Sequence, residues 1–186
     1  MINPGLEPEA VLLNGLYGVG KSTVAVEMAD RLEAAGQRYA ALDLDWLAWG
    51  WSDDEPAGDP HPTASPLLLE HLGLLVANYR RRGNDRFVMA GSIASDVELA
   101  AIRTTIAMPL RVVLLTAPLD VVRARLAREP TSGRLDDAQQ TEAWSGELGP
   151  ERVAADLRVD ADRSIAAIAT EILDRLGWLP ATASAG

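Results

Sequence analysis

Gly15, Gly20, Lys21 and Ser22 stand in the spacing G-x-x-x-x-G-K-[ST] within NGLYGVGKST, residues 14–23. The stretch follows the apolar run AVLL and precedes a helical pattern, the context this motif requires. A loop that wraps a phosphate chain must aim successive backbone N–H groups inward, and side chains at Gly15, Gly18 and Gly20 would obstruct that approach or forbid its backbone angles. The helix opening near Lys21 adds the positive end of its dipole, Lys21 a full charge for the β/γ-phosphates, and Ser22 a hydroxyl able to ligand Mg²⁺. Gly15, Gly18, Val19, Gly20, Lys21, Ser22 and Thr23 are the predicted nucleotide-contacting set, with Thr23 at the α-phosphate. The plain alternative, a glycine-rich turn with a surface lysine, leaves the agreement of motif and flanking elements unexplained.

Three other groups of side chains carry chemistry. In LDLDW, Asp43 and Asp45 end an apolar strand pattern, and the period of two puts both on one face at the carboxyl edge of a sheet, where ligands of open α/β folds bind. One can take a proton from a substrate hydroxyl while the other orders Mg²⁺ waters or holds a second hydroxyl. Asp45, further beyond the apolar core, is the predicted base. The competing reading is that both merely cap a following helix.

VVRARLAREPTSGR places Arg123, Arg125, Arg128 and Arg134 at a helix end and in a polar connection. Such a segment can close over phosphates and neutralise the transferring group. Arg128 and Arg134 are the predicted catalytic pair; Arg123 and Arg125 read as helix-surface residues, and Arg128 also suits a C-terminal dipole partner. Trp46, Trp49 and Trp51 crowd beside Asp45, ahead of Asp53, Asp54, Glu55, Asp59 and His61. Aromatic faces suit a ring or sugar face, and the acids favour a cationic or polyhydroxylated acceptor over a phosphorylated one. The alternative is a tryptophan cluster packing a lid, beside a solvated acidic loop. Asp43, Asp45, Trp46 and Trp49, with Gly91 and Ser92 at the end of a third strand, form the predicted acceptor set. His61 reads as exposed and His71 as a core residue on an apolar helix.

Positioning these residues takes alternating strands and helices. Strands are expected over 10–13, 39–45, 86–91, 110–117 and 157–160. Helices are expected over about 22–35, over 67–82 as a buried helix, from the capping-box pair Ser95 and Glu98, from Pro118 to about Arg128, and from Ile165 to Leu176. Little period-two alternation within the strands points to a parallel sheet covered on both faces. The segment at about 45–66 is the expected acceptor site, about 128–150 an arginine-bearing lid, and about 180–186 a frayed tail, all within one domain.

Composition narrows the function further. A net charge of −10 argues against a nucleic-acid or anionic-membrane surface, so an anionic ligand must meet local positive charge. No cysteine and two histidines leave little for a thiolate or histidine metal site. No apolar run approaches the roughly 18 residues of a membrane span, and the start lacks the pattern of a signal peptide, so a cytoplasmic protein is expected. No carboxylate ends the third or fourth strand (VMAGS, LLTAP), and no Asn-Lys-x-Asp stretch is present, which weakens motor, switch and GTPase readings.

The strand, phosphate loop and helix, the strand-end LDLD and the segment RLAREPTSGR together resemble the P-loop small-molecule kinases: nucleoside monophosphate kinases, shikimate and gluconate kinases, adenylylsulfate kinase and chloramphenicol phosphotransferase. The resemblance implies a P-loop NTPase fold, an α/β five-stranded parallel sheet of order 2-3-1-4-5 with helices on both faces and an arginine-bearing lid after the fourth strand. LDLDWLAWG is similar to the LDGDN-type stretch of adenylylsulfate kinase, and the base of the chloramphenicol enzyme carries over to Asp45. Leu44 replaces the glycine between the two acids, and Trp, Leu and Ala follow Asp45 where the pattern has polar residues, so no adenylylsulfate specificity follows. The turn VDADRS matches in position the loop that borders the adenine in this group. The expectation is an ATP- and Mg²⁺-dependent kinase acting on a hydroxyl of a small molecule, such as an antibiotic or other natural product, as a monomer or homodimer. A nucleoside or nucleotide kinase, and a nucleotide-binding regulatory ATPase module, are the alternatives.

Overall fold

The computed structural model describes residues 7–48, 65–128, 138–139, 141–144 and 149–179. Five parallel strands, β1 (Glu9–Asn14), β2 (Tyr39–Asp43), β3 (Arg86–Ala90), β4 (Leu110–Thr116) and β5 (Leu157–Asp160), form one sheet in the order β2-β3-β1-β4-β5. The central strands are nearly continuous apolar runs because both of their faces are covered, as a parallel sheet between helices demands. Val11, Leu13, Val88 and Val113 point to one layer, where they meet Val24, Met28 and Leu32 of α1 (Lys21–Ala34) and Ile168 and Ile172 of α6 (Ile165–Leu176). Leu12, Phe87, Met89 and Val112 point to the other. There they pack on Leu68, Leu72 and Val76 of α3 (Pro66–Arg81) and Leu99, Ile102 and Ile106 of α4 (Asp96–Ile106). Each such fully buried side chain is worth about 1.5–3 kcal/mol relative to exposure.

Local signals set the helix ends. Ser95 caps α4 by accepting from the Glu98 N–H at 3.2 Å, and the Glu98 carboxylate returns to the Ala94 N–H, one residue before the usual partner of a capping box. Pro118 caps α5 (Leu119–Leu126) rather than entering its first turn. Among the described residues, no helix is long and apolar enough to cross a membrane.

Two elements differ from the sequence reading. The second strand stops at Asp43, and a short helix α2 (Leu44–Ala48) begins where the alternation of LDLD suggested more strand. Leu44 is buried against Gly91, where a Cβ would stand 3.0 Å from the Leu44 Cβ, and the Asp43 carboxylate accepts the Asp45 N–H at the start of the helix. Helix α3 buries one stripe only, leaving Leu74 63% exposed; His71 is exposed too, with its ring Nδ1 2.9 Å from the Leu47 carbonyl, so it is not a core residue.

Candidate functional site

The site begins at the carboxyl end of β1. Asn14 is buried, and its side-chain oxygen accepts from the N–H groups of Gly15 and Ile93, both at 2.9 Å, while its amide donates to the Ile93 carbonyl at 3.0 Å. These bonds pin the entry of the phosphate loop to the connection after β3. Gly15 (φ 145°) then passes so close to β4 that a Cβ would lie 2.6 Å from the Leu115 carbonyl oxygen, and a Cβ at Gly18 (φ 79°) would lie 2.6 Å from Leu126 of α5. Glycine is therefore demanded here by the loop's packing as well as by the inward-facing backbone read from the sequence. Gly20 caps α1 on the open side of the loop.

Lys21 is 5% exposed. Its ammonium donates to the carbonyls of Gly15 and Leu16, each at 3.1 Å, and lies 5.0 Å from the centroid of the Tyr17 ring. The next residue turns the other way: the Ser22 hydroxyl donates to Asp43 Oδ2 at 2.7 Å, and Asp43 Oδ1 accepts from the Asp45 N–H at 3.1 Å. Asp43 and Asp45 thus do not share a strand face. Asp43 caps the start of α2 and reaches α1, while Asp45 lines a cavity of about 500 Å³.

That cavity gathers Lys21, Ser22 and Thr23 from α1, Asp45 from α2, Arg125 and Arg128 from the end of α5, and Arg163 and Ser164 ahead of α6. In a chain of net charge −10, this is the local positive charge an anionic ligand needs. The turn VDADRS does border it. Arg128 is exposed and lines the cavity. Arg125, read from the sequence as a surface residue, instead donates to the carbonyls of Val19 and Ala161, both at 3.0 Å, and lies 3.8 Å from the Asp162 carboxylate. It joins the phosphate loop to the β5–α6 turn. The available signal was its spacing of three from Arg128 in the helix that the sequence extends to about Arg128. Arg123 points elsewhere and pairs with Glu142.

Other predicted residues stand apart. Gly91 and Ser92 are buried and do not line the cavity: Gly91 packs on Leu44, and the Ser92 hydroxyl donates to the Gly15 carbonyl at 3.1 Å beneath the loop. Trp46 is 68% exposed and also off the cavity lining. Val19 is buried and offers its carbonyl to Arg125. Trp49, Trp51, the acids of 53–59, His61 and Arg134 lie outside the described residues, as do most of the expected acceptor and lid segments. Glu98 was read only as a cap. Half-buried, its carboxyl is pushed up to about 7, mainly by burial and further by the charge of Asp45, against the lowering effect of the Ala94 N–H.

Residues 11–147 match the sequence profile of a family described as an AAA domain. The chain belongs to that family. Solved structures place this AAA domain in the fold of the P-loop small-molecule kinases. The APS kinase CysC of Mycobacterium tuberculosis, in complex with AMPPNP and APS, superposes with a TM-score of 0.64 at 23% identity over 93% of this chain and 99% of that one. A sugar kinase from Janibacter gives 0.63 at 17% identity over 94% and 97%, and the tunicamycin resistance protein of Deinococcus radiodurans gives 0.61 at 20% over 94% and 97%. A comparison with curated proteins finds no match.

Proposed function

We propose that this AAA domain is an ATP- and Mg²⁺-dependent phosphotransferase that moves the γ-phosphate to a hydroxyl of a small molecule. The observation that carries the reading is the convergence of Lys21, Ser22, Arg128 and Asp45 on one cavity at the carboxyl edge of the sheet. A motor or switch hydrolase pairs the phosphate loop with a strand-end carboxylate on β3 or β4, which this chain lacks; the carboxylate presented from α2 instead suits proton removal from a second substrate.

The residues fit both donor and metal. Bound Mg²⁺ would supply positive charge that neutralises the phosphates as the group transfers. The Ser22 hydroxyl would hold it, with Asp43 as the outer-shell partner of that hydroxyl, and a larger protein cage is not required. Lys21 exchanges the Gly15 and Leu16 carbonyls for phosphate oxygens, with little loss because acceptors are present in both states. Arg125 keeps the loop and the β5–α6 turn at fixed separation, leaving Arg128 to meet the transferring charge. Asp45 takes the proton of the acceptor hydroxyl. The Asp45 carboxylate adds negative potential on that side, which favours a cationic or polyhydroxylated acceptor over a phosphorylated one, while Glu98 beside it is held largely neutral by burial below about pH 7.

The test is ADP release over a panel of sugars, aminoglycosides, nucleosides and hydroxy acids. Stimulation by one class supports the reading and names the acceptor. Slow hydrolysis that no acceptor stimulates, and that Asp45→Asn leaves unchanged, would instead identify a regulatory ATPase module.

A further inference from the structure

Lys21 is linked to a distant part of the chain through one aromatic ring. Its ammonium lies 5.0 Å from the centroid of Tyr17, and that ring stacks on Trp144 with centroids 5.6 Å and planes 18° apart. Residues 141–144 are anchored at several points. The buried Thr141 hydroxyl donates to the Tyr17 carbonyl at 3.3 Å, so backbone and ring of Tyr17 meet the same segment. Glu142 holds Arg123 of α5 through both carboxylate oxygens. Gly149 (φ 146°) packs so tightly that a Cβ would stand 2.8 Å from the Trp144 Cβ.

Trp144 is only 9% exposed, and its buried indole N–H has no hydrogen-bond partner among the described residues. A buried indole usually gives that N–H an acceptor, and leaving it unmet carries a cost. What the position uses is the flat ring. Tyr17, for its part, stands at a position the phosphate-loop motif leaves open.

We propose that Trp144 is a positioning residue for Lys21, fixing the plane of the Tyr17 ring whose face holds the ammonium. The inference rests on the nucleotide site proposed above and deepens it. A lysine has four rotatable bonds, and attraction to a ring face narrows where its charge resides. Stacking on Trp144 and the bond from Thr141 keep that face in place before any phosphate arrives. The charge is then held at the loop, between the Tyr17 face and the Gly15 and Leu16 carbonyls, and has only to exchange those carbonyls for phosphate oxygens.

A double-mutant cycle on ATP affinity tests this, using calorimetry on the full chain with Trp144→Leu, Lys21→Met and the pair. Trp144→Leu weakens ATP by roughly threefold to tenfold, the span of a partly desolvated cation–π contact. In the Lys21→Met background the same change costs less than about twofold, because the residue through which it acts is gone. Trp144→Phe keeps a stacking face without the unmet N–H and restores affinity to within about twofold of wild type. An equal loss in both backgrounds, or a Phe variant as weak as Leu, would overturn the proposal by showing a merely structural role. If Trp144→Leu does not fold by thermal melting, Tyr17→Leu takes its place in the cycle, and an additive result there overturns it equally. Wild-type protein that binds no ATP would instead overturn the nucleotide site itself, an outcome distinct from an additive cycle in a protein that binds.

Discussion

The Ser22 hydroxyl, at the start of α1, donates a 2.7 Å hydrogen bond to the carboxylate of Asp43, at the end of β2. Strand β3 lies between β1 and β2, and its end, Ala90, Gly91 and Ser92, carries no carboxylate. Asp43 thus brings, from a strand further away, the negative oxygen beside Ser22 that β3 does not offer. Asp43→Asn keeps an acceptor for the Asp45 N–H and removes the charge. Mn²⁺ affinity in the presence of ATP, read by electron paramagnetic resonance, should fall about tenfold or more, the usual effect of losing an outer-shell metal partner. Unchanged affinity would take Asp43 out of the metal site.

Asp45 lines the cavity from the first turn of α2, separate from the Ser22–Asp43 pair. Asp45→Asn should lower kcat for transfer by about 10²–10⁴ while leaving ATP affinity within about twofold, because general-base assistance is removed and the phosphate loop is untouched. If Asp43→Asn shows this pattern and Asp45→Asn does not, the two roles are reversed.

Lys21→Ala removes the one ammonium built into the phosphate loop. Turnover should fall by about 10²–10³, the size of losing a preorganised charge stabiliser. Activity near that of wild type would exclude Lys21 from the reaction.

Glu98 makes stability depend on pH. Its carboxyl titrates at about 7 in the folded chain against 4.5 for an ordinary glutamate, so between those values the folded state binds more protons than the unfolded one. Stability is therefore greatest below the unfolded value and declines as pH rises from about 4.5 towards 7, by on the order of 2 kcal/mol. Denaturant unfolding at pH 5 and pH 8 should show this decline in wild type and a smaller one in Glu98→Gln. An equal decline in both would assign it to other groups.

How much of this was legible in the sequence follows from what each signal encodes. AVLL, RFVMA and LRVVLLT read as buried strands because helices cover both faces, which leaves no polar alternation to confuse them. The phosphate loop was legible because its glycines answer a backbone requirement stated by spacing alone. The end of β2 was only half legible: Asp43 suits a helix cap, but LDLD also keeps a period of two beyond it, and the packing of Leu44 on Gly91, far apart in sequence, exists only in the folded chain. The contacts of Gly91 with Leu44 and of Ser92 with the underside of the phosphate loop were hidden for the same reason, since nothing local announces them. Arg125 and Glu98 looked like a surface residue and a cap, and their closeness to Val19, Ala161 and Asp45 exists only in the folded chain.

Phosphoryl transfer to a small-molecule hydroxyl is the central claim, and ³¹P NMR of the wild-type protein with Mg·ATP and the acceptor panel in ¹⁸O-enriched water tests it most directly. The account predicts a phosphate monoester free of solvent ¹⁸O, formed in step with ADP and lost with Asp45→Asn. Turnover that yields only ¹⁸O-labelled inorganic phosphate, at a rate no acceptor changes, would contradict it.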